Sequence, residues 1–93
     1  MTNFNHYLDL TKNIETTLYG KSLILKNLYI YKGPITLQYL PYGGIQSVYH
    51  GQIILNTKNG FIASQKVVYD GVEMSSMDFI EKFENIVNEV LPN

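Results

Sequence analysis

The side chains that most often carry chemistry are few in this chain and poorly placed for it. His6 and His50 are the only histidines. They lie far apart, and neither has a carboxylate at the spacing of a metal site. His50 precedes Gly51 at a strand entrance, where an imidazole serves a backbone hydrogen bond, and no acid is placed to orient it as a base. Asp70 and Glu73 flank Gly71 and suggest a carboxylate pair, but an Asp-Gly step is turn chemistry and Glu73 falls on a short solvated strand. Ser75 and Ser76 stand where a helix begins, without a G-x-S-x-G elbow, and read as caps rather than nucleophiles. Gly43-Gly44 is followed by no GK[ST] and opens no helix, so it is no phosphate loop. The residues alone predict no catalytic centre, no metal and no cofactor.

Binding is the remaining possibility. Eight tyrosines are many for this length, and Tyr29 and Tyr31 are candidate stacking platforms, with Lys21, Lys58 and Lys66 as neighbouring cations. The simpler explanation is that tyrosine suits strands and that the lysines belong to a mixed surface. The cations comprise seven lysines and no arginine against eight acidic residues, so no guanidinium fork exists to grip a phosphate.

The elements that must position these residues are mostly strands. Gln52–Thr57 and Phe61–Tyr69 are short runs rich in Ile, Val and aromatic residues, joined by Lys58-Asn59-Gly60, which we read as a three-residue connection with glycine at its bulge. Asp70-Gly71 predicts a type I′ turn that sends Val72–Met74 back along Val67–Tyr69. Upstream, Ile14–Leu18 and Ser22–Tyr31 form a hairpin through Tyr19-Gly20-Lys21. Strict alternation along the second strand places Ile24, Lys26, Leu28 and Ile30 on one face and Leu23, Leu25, Asn27, Tyr29 and Tyr31 on the other. Gly33-Pro34 interrupts the pattern, Ile35–Leu40 is a brief extended segment, and Ile45–Tyr49 leads into the central hairpin.

After Met74 the apolar period lengthens to 3.6. Ser75 is placed as N-cap, Asp78 lies near the positive end of the helix dipole, and Phe79, Ile80, Phe83, Ile86, Val87 and Val90 form one stripe that closes the sheet. The expected organisation is one domain over residues 1–93: a weakly structured lead-in at 1–13, a β-barrel at 14–74 and a C-terminal helix at 75–91. Ile53, Leu55, Val67, Phe79, Ile80 and Phe83 are the expected core.

Composition agrees with a folded domain. The chain has 93 residues, 45% hydrophobic and 16% charged, enough apolar material for one core and no more. Cysteine is absent, which excludes a disulfide framework and thiolate metal sites. No run approaches the ~20 apolar residues of a membrane span, and MTNFNHYLDL lacks the basic start of a signal peptide. The expectation is a cytoplasmic protein.

Three stretches resemble a known family. Asn59-Gly60-Phe61-Ile62, then Gly71, then Met74-Ser75-Ser76-Met77-Asp78-Phe79 are similar to the C-terminal domain of methionyl-tRNA formyltransferase and related formyltransferases. Thr17-Leu18-Tyr19-Gly20-Lys21-Ser22-Leu23-Ile24-Leu25 looks like that domain's first hairpin, so the similarity spans Thr17 to about Phe83. The resemblance implies a mainly β fold, an open OB-like antiparallel barrel with a C-terminal α-helix. It also implies a non-catalytic accessory role, binding or positioning the formyl acceptor beside a formyltransferase catalytic domain. Val72 and Glu73 stand where the family is basic, and Val68 replaces a glutamine, which points to weak tRNA binding at most. Two alternatives are a protein-interaction or self-association module, with a homo-oligomer as one form of it, and an OB-type single-strand nucleic-acid binder.

Overall fold

The computed structural model describes residues 4–35, 40–49 and 51–92. The extended segment expected at Ile35–Leu40 lies largely outside these residues, and the backbone role expected of His50 lies wholly outside them. The described chain forms β1 (Ile14–Leu18), β2 (Lys21–Ile30), β3 (Ile45–Tyr49), β4 (Gln52–Thr57), β5 (Gly60–Tyr69), β6 (Val72–Ser75) and α1 (Ser76–Lys82). It is a mainly β protein, an open, curled antiparallel half-barrel with one short C-terminal helix.

Local chemistry sets the hairpins. Tyr19 and Gly20 have φ of 52° and 77°, and Asp70 and Gly71 have 51° and 83°. Two successive positive φ values are the mark of the type I′ turn, whose twist matches that of the strands it joins. The β4–β5 connection is one residue shorter than its sequence suggests, because Gly60 already pairs with Thr57 and only Lys58 and Asn59 lie between the strands.

The strand order is β1-β2-β5-β4-β3, with β6 also on β5. β5 is long enough to serve three partners. β2 runs along one side of it, while β4 pairs with Gly60–Ser64 and β6 with Lys66–Tyr69 on the other.

The sheet curls at a crease. Before it, Leu23 and Leu25 of β2 and Val67 and Tyr69 of β5 point into the core; beyond it, Leu28 and Ile62 do. The inward positions thus change parity in both strands between Lys26–Lys66 and Leu28–Ser64, where Asn27 stands opposite Gln65 with φ of 55°. Asparagine tolerates the left-handed conformation better than other side-chain-bearing residues, which makes it a fitting residue for a mid-strand twist. The strict alternation expected over Ser22–Tyr31 therefore fails after Asn27. The Ser64 hydroxyl reaches the carbonyls of Lys26 (2.8 Å) and Lys66 (3.0 Å) beside the crease, and the buried Ser76 hydroxyl donates to the Ser64 carbonyl at 2.7 Å.

Ile53, Leu55, Val67 and Phe79 are buried as expected, with Ile80 and Phe83 packed half-buried against them. Tyr69, Phe79 and Phe83 form a mutual aromatic contact with centroids 5.0–5.4 Å apart.

The lead-in has no regular element, and the C-terminal helix is shorter than expected. Residues 4–13 contain turns rather than a strand or helix, yet Phe4 is fully buried, and Asn59 holds Leu8 by both its N–H (2.8 Å) and its carbonyl (3.0 Å). The lead-in is fixed by tertiary contacts that leave no periodic trace. The helix begins as expected, with the Asp78 N–H donating to the Ser75 hydroxyl at 3.1 Å, but ends at Lys82 rather than 91. Asn85, Val87 and Asn88 are weak helix formers. The backbone there also finds better partners. Ile45 N–H donates to Glu89, Asn88 N–H to Ile45 and Leu91 N–H to Gly43, at 2.8–2.9 Å, and Ile86 and Leu91 are buried as the tail covers part of the β3 edge.

Candidate functional site

The crease decides which side chains share the outer face of the sheet. On its near side the outward positions of β2 are Ile24 and Lys26; on its far side the outward position is Tyr29, with Tyr31 following just past the strand. Lys26 and Tyr29 therefore share the outer face, where uninterrupted alternation would have put them on opposite faces. Across the ladder they face Lys66 and Ala63, and Glu73 of β6 lies opposite Val68.

Tyr29 donates its hydroxyl to the Gln52 side-chain carbonyl on β4, so its ring lies across β5 over Ala63. The ring is 37% exposed, which leaves part of it open to a stacking partner. Tyr31 is half-buried. Its N–H bonds to Phe61 and its hydroxyl to the Pro34 carbonyl at 2.7 Å, so it braces the loop after β2 instead of presenting a free ring.

The cations divide. Lys26 donates to Glu73 at 2.8 Å. The Lys26 hydrogen bond and charge, with a smaller contribution from Lys66, hold the Glu73 carboxyl below the usual range. Lys66 is exposed on the same face and forms no ion pair among the described residues. Lys21 lies beyond the β1–β2 turn, 3.7 Å from Asp70. Lys58 sits in the β4–β5 turn at the other end of the sheet, 5.6 Å from the centroid of the Tyr7 ring. The length of β5 separates those ends. Of the five candidate binding residues, Tyr29 and Lys66 are brought onto one face, Tyr31 borders it, and Lys21 and Lys58 belong to opposite rims.

Three contributors to this face escaped the sequence reading. Gln52 orients the tyrosine, Glu73 neutralises a lysine, and Asn27 turns the strand over. Only Asn27 left a signal, as a poor strand former within an aliphatic run.

A second concavity, about 420 Å³, opens between Tyr19, Phe83 and the Glu81–Asn85 segment. It is broad and lined by Glu81, Lys82 and Glu84, and its one perturbed group is the Tyr19 hydroxyl, pushed up by desolvation and by Glu89. Among the described residues, no three His, Asp or Glu side chains gather as a metal site, and no helix is long and apolar enough to cross a membrane. In comparisons with known proteins, no family model, no curated protein and no solved structure matches the chain.

Proposed function

We propose that the chain is an accessory binding domain, of the kind that formyltransferases carry beside their catalytic domain, which holds or positions an acceptor and performs no reaction itself. The observation that carries this reading is the Tyr29–Lys66 face, an aromatic ring fixed by Gln52 with an unpaired cation about three residues along the neighbouring strand. A ring and a cation on a rigid sheet suit a planar or anionic group. A cytoplasmic location and a formyltransferase catalytic domain as neighbour belong to the same reading.

Contact with nucleic acid is weak in this proposal. Phosphate contacts supply most non-specific affinity, and here Lys26 is occupied by Glu73, leaving Lys66 as the face's unpaired cation. The test has two arms. The coding sequence on either side of this chain is read for a formyltransferase catalytic domain, and labelled tRNA and a short single strand are titrated at low salt and again at about 200 mM. The expected result is such a domain in cis or in the adjacent gene, with binding that is weak, salt-sensitive and reduced by Tyr29→Ala and Lys66→Glu. Sub-micromolar, steeply salt-dependent binding abolished by Tyr29→Ala would instead make the chain a single-strand nucleic-acid binder.

A protein-interaction role is the second reading. The Lys26–Glu73 pair neutralises part of the outer face, and the half-buried Ile24 and Val68 stand opposite each other on it, which suits a protein better than a polyanion.

A further inference from the structure

The two ends of the half-barrel are treated differently. The β3 edge is partly covered by residues 88–91, whereas β1 ends the strand order and, among the described residues, forms a ladder with β2 alone, its Leu18 carbonyl also accepting from the Tyr69 hydroxyl. An open edge of this kind is a template for another strand. Along β1, Ile14, Thr16 and Leu18 face inward and are buried, while Glu15 and Thr17 are exposed. Thr16 is 6% exposed, and its hydroxyl has no hydrogen-bond partner among the described residues. A buried hydroxyl without a partner is costly, and its placement on an open edge strand calls for explanation.

We propose that β1 pairs antiparallel with β1 of a second copy of this chain, about a twofold axis through Thr16. The register follows from the strand itself. Residues directly opposite in an antiparallel ladder share a face, so a twofold axis through a residue keeps the inner faces of the two half-barrels continuous, whereas one between residues would put an inward side chain opposite an outward one. Centring on Glu15 sets like charges against each other, and centring on Thr17 leaves the first residues of β1 unpaired. Centring on Thr16 pairs all five residues: Ile14 with Leu18, Glu15 with Thr17, and Thr16 with its own copy. Threonines directly opposite each other can hydrogen-bond across a ladder, which gives the Thr16 hydroxyl the partner that the single chain does not supply. The interface is isologous, as a closed dimer requires.

The test uses Thr17, which is exposed on the outer face and takes no part in the core. In the proposed register Thr17→Glu stands opposite Glu15 of the other copy, and Thr17→Lys places a cation there. Each contact occurs twice by symmetry. Sedimentation of the intact chain from ~10 μM to ~1 mM should show a monomer–dimer equilibrium. Thr17→Glu should weaken it and Thr17→Lys should strengthen it, each by about fivefold or more. Thermal melts at the dilute end confirm that both variants fold. A monomer at every concentration overturns the proposal, and so does a dimer whose dissociation constant is the same for Thr17→Glu and Thr17→Lys.

Discussion

The Tyr69 hydroxyl donates to the Leu18 carbonyl at 2.9 Å, tying the end of β5 to the end of β1 across the strand that separates them. The ring below it contacts Phe79 and Phe83, so one side chain joins the sheet, the first hairpin and the helix. Tyr69→Phe keeps the packing and leaves a buried carbonyl without this donor. It should cost about 0.5–1.5 kcal/mol in urea unfolding. Tyr69→Ala should cost several times more.

Phe79 and Phe83 should separate in the same assay. Phe79 is fully buried, and Phe79→Ala should cost ~3–5 kcal/mol. Phe83 is only half-buried at the end of the helix, so Phe83→Ala should cost clearly less than Phe79→Ala. Equal costs would place the two rings in equivalent surroundings, against the packing described.

Thr16→Val should be close to neutral or stabilising in dilute solution, where the monomer prevails. The change keeps the branched shape and removes a buried hydroxyl that has no partner in the single chain. Chemical denaturation at low protein concentration measures this. A loss above about 1 kcal/mol, beyond the range of an innocuous change, would show that the hydroxyl is bonded within the monomer.

Asn27 tests the crease. It is exposed, so substitution disturbs little packing. Asn27→Gly should be tolerated, because glycine adopts φ near 55° without strain. Asn27→Val should cost about 1–2 kcal/mol, the penalty for forcing a side chain with a branched β-carbon into the left-handed region.

Glu73 provides a pH test. Its folded-state pKa lies below its ordinary value because Lys26 and Lys66 favour the carboxylate. The associated stabilisation is present above the ordinary glutamate pKa and is lost as pH falls through the lowered one. NMR titration of the Glu73 carboxyl should show the low value. Lys26→Gln should move it upward, and added salt should move it in the same direction.

Much of this fold was legible in the chain because its signals are local. Asp70-Gly71 and Tyr19-Gly20 announce their turns, and Ser75 with Asp78 announces the helix start; each depends on residues within one or two turns of backbone. What was not legible depends on distant partners. The helix stops at Lys82 because Gly43 and Ile45 bind the backbone of 88–91, and Phe4 is buried although its neighbours show no period. The grouping of side chains on the outer face was the least legible. A single left-handed residue at position 27 inverts every outward assignment beyond it, so Lys26 and Tyr29 could be grouped only once the backbone was known.

The sharing of β5 among three partners also has a temporal side. β4–β5 and β5–β6 are hairpins closed by two-residue turns, and such hairpins form within microseconds. β2 must find the same strand across a loop of more than thirty residues, from Ile30 to Ile62. Closing that loop is the costly step, and it is favourable only when β5 already stands as a template. The order of assembly is therefore written in the connectivity: the C-terminal half of the chain prepares the surface on which the N-terminal hairpin lands.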